Sequence, residues 1–478
     1  MTILPLHPAD HASPDALRAF LGVCQTEAQR EQHAKLVSIS LAVDALDPLA
    51  VLESIFEPDE PHFYAERPAT ETAIAGAETA AGFQTHGPDR FAQVKHWVSD
   101  VLAHTVAVGD VAAPFGGPHF FAGFTFHDEI EPGETFPAAS VFVPRWQVAL
   151  AGHTTTAVAN LLVTADADLE ALALRVWRAH QKFRKFEFVG GAPPPRGTNE
   201  RGEGVPPTSS TREAGDYRAA VARALQGIAA GEFKKIVLAR AQDLTADQRL
   251  HPLRMLNGLR QRFPDCYAFS FAGGGGPSFI GASPERLVRV SKGRLETEAL
   301  AGSMRRGASA SEDAALGGTL LRSEKDLREH REVLDDIVAR LRPLGLAPEF
   351  PAQPQLRRLA NVQHLHTPVH AALPENVQVL DVLAAMHPTP AVGGTPREAA
   401  VARIRELEGF PRGLYAGALG WLNTRGGGEF FVGIRSALVR DASARVYAGA
   451  GIVAGSTPEK EFAETELKFK AMLDALLT

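Results

Sequence analysis

Cysteine is nearly absent from this chain of 478 residues: Cys24 and Cys266 are its only two, too few for a disulfide framework or a thiolate metal cage. Basic blocks are missing too. Lysine and arginine together number 49 against 56 aspartates and glutamates, for a formal net charge of −7. No stretch gathers the positive charge, which argues against a nucleic-acid partner. No apolar run is long enough to span a bilayer, and Met1-Thr-Ile-Leu-Pro-Leu-His-Pro-Ala-Asp10 has neither a basic n-region nor a long apolar h-region. These absences predict a soluble cytoplasmic protein with no membrane partner. Phosphate-binding signatures are also wanting. Gly273-Gly-Gly-Gly276 and Gly449-Ala-Gly451 lack the Gly-Lys-Ser/Thr ending, and Gly449 to Gly455 misses the dinucleotide spacing by one residue. Close approach of backbone to a smaller anion stays open.

What is present fits a globular protein. Apolar residues make up 45% and charged residues 22%. The length allows two ordinary domains or one large α/β body. Lys35–Leu41, His119–Phe126, Ser140–Leu150 and Thr155–Thr164 read as strands, Phe63–Arg67 with Ala73–Gly76 as a tight hairpin, and Leu169–Lys185 as a helix. Residues 1–190 carry no evident cluster of reactive groups and read as scaffold. Residues 191–215 are rich in Pro and Gly, a linker between domains or a surface excursion within one. No internal repeat is evident.

Within 216–478, helices are predicted over Asp216–Ala230, Ser323–Leu341, Val379–Met386 and Arg397–Leu407. Strands are predicted over Lys235–Arg240, Tyr267–Phe271, Ser278–Gly281, Arg286–Val290, Arg294–Glu298, Leu414–Leu422, Glu429–Val439 and Ala444–Gly451. Neighbouring strands joined by short turns argue for antiparallel sheets with helices packed outside.

Several ionisable residues stand out. At the end of the chain, Ser456 with Glu459 fits a capping box and Pro458 a first helical turn. Helical spacing puts Glu461, Glu464 and Lys468 on one face, read either as an i,i+4 ion pair on a solvated helix or as carboxylates set beside glycine amides to hold a cation and an anion. His330 falls in the middle of the apolar face of its helix, as a satisfied core histidine would, and Glu329 at its edge, as a ligand or an exposed acid. Lys235 shares a strand face with Val237 and Ala239. A lysine there either snorkels from the strand end or has its pKa lowered by burial, as a general base requires. Glu285 is a turn carboxylate between two strands.

In order, Lys235-Ile-Val-Leu-Ala-Arg240, Ile280-Gly-Ala-Ser-Pro-Glu-Arg-Leu287, Glu298-Ala-Leu-Ala-Gly-Ser303, Ser323-Glu-Lys-Asp326 with Glu329-His330, His364-Leu-His-Thr-Pro368, His387-Pro-Thr-Pro-Ala391, Tyr415-Ala-Gly417, Gly433-Ile-Arg435, Ala448-Gly-Ala-Gly-Ile452 and Glu464-Thr-Glu-Leu-Lys468 resemble the chorismate-utilising enzymes, and within them the isochorismate synthases. The resemblance covers residues 216–478; the first 190 match loosely, as the partner half of the same fold. It implies an α+β fold, an αββα sandwich of two large antiparallel sheets with outer helices, and chorismate bound in a cleft with Mg²⁺.

Carried over by position, Glu329 and Glu464 resemble the metal-binding carboxylates, with Glu461 in a supporting or water-mediated role; hard oxygen donors suit Mg²⁺. Arg435 and the backbone at Gly449 and Gly451 are similar to the cradle of the enolpyruvyl carboxylate, and Lys468 adds a charge. Ala301, Gly302, Ser303, His364, Thr367, Ala391, Val392 and Tyr415 are similar to residues lining the substrate. Lys235 matches the base that activates water for attack at C2, and Glu285 the acid that protonates the departing C4 hydroxyl, a pair that needs opposed pKa shifts.

Family members that add ammonia carry Gln at the position of Lys235 and need a glutaminase subunit, so none is expected here; a monomer is. Aminodeoxychorismate synthases carry a lysine where this chain has Ala301. Salicylate synthases share base and acid but usually lack the His387–Pro390 run. The resemblance therefore implies an isochorismate synthase. Its length points to the menaquinone type rather than the siderophore type, with a salicylate synthase, or a non-catalytic subunit of the same fold, as rivals. Gln363, where tryptophan is common, and Ser303, often threonine, depart from the pattern.

Overall fold

The structure, a computed structural model, describes residues 1–4, 13–188, 209–359 and 362–476. Two long strands, Thr72–Thr85 and Ala139–Ala151, organise it. They pair antiparallel along their length, with a register shift between Thr79 and Ala81. Next to that shift Glu78 has left-handed backbone, φ 57°. An extra residue of this kind bends a strand, and on either side of the bend the same two strands serve different sheets.

On one side the pairing continues through Thr154–Val163, Lys35–Val43 and Thr105–Gly109 to Thr2–Leu4. In the same sheet, His62–Arg67 beside Thr72–Thr85 leads through Tyr267–Ala272, Ser278–Ser283, Ser436–Arg440 and Ser443–Val453 to Lys235–Ala246. On the other side of the bend, Phe120–Phe124 leads through Ala418–Leu422, Gly428–Val432, Arg286–Ser291, Arg294–Arg305 and Val362–Ala372 to Gln355–Arg358. Among the described residues only the two pairings of Thr105–Gly109 are parallel.

The two sheets face each other across a layer of phenylalanines. Phe63 of the first stacks on Phe121 of the second with centroids 4.5 Å apart, and Phe269 meets Phe431 at 5.1 Å. All four are buried, and burial stabilises by roughly 1.5–3 kcal/mol for each such side chain. Helices Tyr217–Ala229, Pro252–Arg262 and Pro458–Leu476 cover the outside of the first sheet; Arg90–Ala103, Glu324–Leu341 and Val379–Met386 cover the second. This is the expected α+β, αββα sandwich. Both sheets contain strands from either side of the Pro/Gly-rich stretch, joined where His62–Arg67 pairs with Tyr267–Ala272 and where Phe120–Phe124 pairs with Ala418–Leu422. Of that stretch, 191–208 lie outside the described residues, while Ser209–Ala214 is a strand paired with Ala241–Ala246.

Three local expectations change. The run Glu429–Val439 is two strands, Gly428–Val432 and Ser436–Arg440, because it passes from one sheet to the other. The crossing is made at Gly433–Arg435, with Arg435 at φ 51°. The strand expected from Leu414 begins only at Ala418, since residues 413–416 form a turn. At the last helix, Thr457 rather than Ser456 takes the cap, its Oγ1 accepting from the Lys460 N–H at 3.4 Å, while the Ser456 hydroxyl accepts from the Val453 N–H at 3.2 Å.

Candidate active site

Lys235 opens its strand, flanked by Val453 on one side and Thr395 on the other, and it is buried. Its Nζ donates to Glu329 Oε1 at 2.6 Å. Glu329 rides the helix Glu324–Leu341, whose start is capped by the Ser323 hydroxyl accepting from the Asp326 N–H. Gly451 borders this pair. A Cβ there would come within 3.1 Å of Lys235 Cε and 4.0 Å of Glu329 Oε1, so the absence of a side chain leaves the lysine its path along the strand.

Glu285 sits in the turn between Ser278–Ser283 and Arg286–Ser291. Its N–H donates to Ser283 Oγ at 3.3 Å and its carbonyl accepts from the Val432 N–H at 3.1 Å. Burial pushes its carboxyl up to about 7; the charge of Glu298 adds to the rise, while Lys235 and Arg357 oppose it. A carboxyl in that state can carry a proton at neutral pH and release it to a nearby oxygen.

On the helix Pro458–Leu476, Lys468 Nζ donates to Glu464 Oε1 at 2.8 Å and to the Gly449 carbonyl at 2.7 Å. The lysine thus ties helix to strand as well as pairing with its i−4 neighbour. Glu461 is pushed up by burial, with the charge of Glu464 adding to it. Tyr415 stacks on Tyr447, centroids 5.0 Å apart, and its hydroxyl would lie 2.7 Å from a Cβ at Gly449. Both glycines therefore keep backbone open beside functional side chains.

The remaining candidates divide between two faces. Gly302, φ 74°, occupies the register shift in Arg294–Arg305. Ser303 Oγ is 2.9 Å from His364 Nδ1. Burial, then the charges of Arg435 and Lys468, pushes His364 down to about 3, a neutral ring at ordinary pH. Arg435 is half-buried, and its Nη1 atom is buried with no hydrogen-bond partner; an incoming carboxylate would satisfy it. Thr367 lies on the reverse face of its strand, bonded through Oγ1 to His330 Nε2 at 2.7 Å. Burial pushes that histidine down to about 4; its place in the core matches the core-histidine reading, but only Nε2 is satisfied, since Nδ1 is buried without a hydrogen-bond partner. Ala301 is buried in its strand and Ala391 is half-buried beside Val392. Gln363 turns toward the helix Ala310–Arg322, its Nε2 3.3 Å from the Arg305 carbonyl, away from His364.

Two charge clusters, one buried and one half-buried, have no counterpart in the sequence reading. Arg412 donates to Glu408 Oε1 at 2.5 Å, to the Val237 carbonyl at 2.7 Å and to the Val392 carbonyl at 3.0 Å, while Glu408 Oε1 accepts from the Ala239 N–H at 2.6 Å. The pair thereby holds the strand of Lys235 and the loop of Val392 in register. The i,i+4 spacing of Glu408 and Arg412 was the available signal. The second cluster joins Glu298 to Arg357 at 2.7 Å and to His366 at 2.9 Å.

A divalent ion suits the donors present. Glu329 and Glu464 are partly exposed carboxylates, each now matched by a lysine, and Glu461 feels the negative charge of Glu464. Hard oxygens with room for waters are what Mg²⁺ requires. Among the described residues, the one trio of ligand-type atoms within 4.8 Å lies elsewhere, at His33, Asp100 and His104. Its two rings stack face to face, 3.5 Å apart and 14° from parallel. Their in-plane lone pairs run alongside each other instead of converging on one ion.

The family described as "Chorismate binding enzyme" matches residues 22–477, and the chain belongs to it. The match reaches well into the first half, further than the motif strings alone. A "Salicylate biosynthesis isochorismate synthase" of Pseudomonas aeruginosa is 36% identical over 99% of this chain and 96% of its own length. "Isochorismate synthase MenF" of Bacillus subtilis is 32% identical over 94% and 95%. Among solved structures, MenF, the menaquinone-specific isochorismate synthase from Escherichia coli, superposes with a TM-score of 0.75 at 27% identity, covering 96% of this chain and all of that one.

Proposed function

We propose that this chorismate-binding enzyme is an isochorismate synthase, adding water at C2 of chorismate and expelling the C4 hydroxyl without redox change. The observation that carries the reading is the buried carboxyl of Glu285, held near neutrality within reach of the charge of the buried Lys235. In its neutral form Lys235 takes a proton from the attacking water, and Glu285 gives one to the leaving hydroxyl, so a water enters and a water departs. Arg435, the amides around Gly449 and Gly451, and Lys468 hold the enolpyruvyl carboxylate; Ala301, Gly302, Ser303, His364, Ala391, Val392 and Tyr415 border the ring, while Thr367, on the reverse face of its strand, bonds to His330 behind it.

Glu329 and Glu464, with Glu461 in a supporting role, would hold Mg²⁺, which would supply positive charge to a substrate carboxylate. The chain works without a glutaminase subunit, because Lys235 stands where ammonia-using relatives carry Gln.

Incubation of the purified protein with chorismate and Mg²⁺ tests the reading by chromatography of the products. Isochorismate is expected. Salicylate with pyruvate as the main products would replace it with a salicylate synthase, and absence of turnover would leave a non-catalytic subunit.

Menaquinone biosynthesis is the finer assignment. Length does not separate it from the alternative, since the relative named for salicylate biosynthesis and the one named MenF both match nearly end to end. Restoration of menaquinone in a strain lacking its own isochorismate synthase is expected. Failure there, with activity in vitro, would assign the product to another route.

A further inference from the structure

Glu298 has a hydrogen bond on each oxygen and is deeply set, its side chain 10% exposed. Oε1 accepts from the Arg286 N–H at 3.0 Å and from Arg357 Nη1 at 2.7 Å; Oε2 is 2.9 Å from His366 Nε2. Against burial, which raises it, the His366 bond and Arg357 hold this carboxyl at about 2. It is therefore a carboxylate throughout the working range of an enzyme. Arg286 immediately follows Glu285, and its side chain is engaged elsewhere, with Glu296 at 3.0 Å and Glu429 at 3.1 Å. Its amide alone serves Glu298.

We infer that Glu298 is a positioning residue for Glu285: it clamps the turn behind that side chain through the Arg286 amide and sets a permanent negative charge beside it. The inference rests on the reading of Glu285 as proton donor. Three charged groups act on Glu285 from the strands around it: Glu298 from Arg294–Arg305, Lys235 from Lys235–Ala246 and Arg357 from Gln355–Arg358. Two are positive and favour the ionised form. Glu298 supplies the negative charge that offsets them, and a like charge nearby keeps a carboxyl protonated to higher pH. A purely structural ion cluster would add stability and leave the proton on Glu285 untouched.

The pH dependence of kcat/KM separates these roles. Loss of the negative charge in Glu298→Gln is expected to move the alkaline limb to lower pH, so that the ratio of activity at pH 8 to that at pH 6 falls roughly fivefold relative to the parent enzyme. Arg357→Gln removes a positive charge and is expected to move the same limb to higher pH, and it carries the test if Glu298→Gln does not fold. Limbs that stay in place in the folded variants would overturn the inference. Glu285→Gln distinguishes the two levels of failure. If that variant is inactive and the limbs do not move, only the role of Glu298 falls; if it turns over chorismate at the parental rate, the proton-donor reading falls and takes the role of Glu298 with it.

Discussion

Lys235 and Glu329 are 94 residues apart in sequence and 2.6 Å apart in the fold. One comes from the head of a strand in the first sheet, the other from a helix covering the second. Their contact joins the two chemistries assigned to the site, proton abstraction and metal binding. On the proposed reading, a cation on Glu329 would compete with the lysine for the same carboxylate, which would link metal binding to release of the lysine from its ion pair.

Metal removal tests one side of that linkage. EDTA is expected to abolish turnover and Mg²⁺ to restore it. Glu329→Gln and Glu464→Gln should each raise the Mg²⁺ concentration for half-maximal rate at least roughly tenfold. Full activity in metal-free buffer would refute the site.

The other side is the base. Lys235→Gln is expected to lower kcat by roughly 10²–10⁴-fold, the usual worth of a positioned general base, while calorimetry still detects chorismate binding. Unchanged turnover would refute the assignment.

Glu285 makes a prediction about stability as well as rate. Its carboxyl is raised from an ordinary 4.5 to about 7 in the folded state. Between those values the folded protein binds more protons than the unfolded chain, so stability falls as pH rises through that window and stays lower above it. Glu285→Gln has no carboxyl to ionise. It should therefore be inactive yet more stable than the parent at pH 8, by on the order of 1–3 kcal/mol, with the advantage gone at pH 4. Thermal melts at the two pH values check this, and equal melting temperatures at pH 8 would contradict the burial cost.

The Glu408–Arg412 pair is enclosed, with 1% of each side chain exposed. Arg412→Ala leaves a buried carboxylate without its partner, and a loss of roughly 3–5 kcal/mol is expected in denaturant titration. Glu408→Gln with Arg412→Met, which removes both charges together, should recover much of it. Additive losses would show that the two residues act separately.

Much of this was legible in the chain. Apolar periodicity predicted the helix that begins under the Asp216 cap and the one under the Ser323 cap, because helix ends depend on groups within four residues. The strand containing Lys235 was equally local, and the ordered motif strings named the family that the full-length comparison bears out. A period of two, however, tells which residues share a strand face and not which face looks inward. Hence His364 and Thr367, neighbours in one motif, lie on opposite sides of their strand, bonded to Ser303 and His330. The break at Gly433–Arg435 was read through as one strand, since a glycine and an arginine between two apolar runs do not by themselves mark a change of sheet. Glu285 was only a turn carboxylate in the sequence. Its state depends on burial and on Glu298, Lys235 and Arg357, charges brought together by the closing of two sheets, and electrostatics at that range follows distance in space rather than separation along the chain.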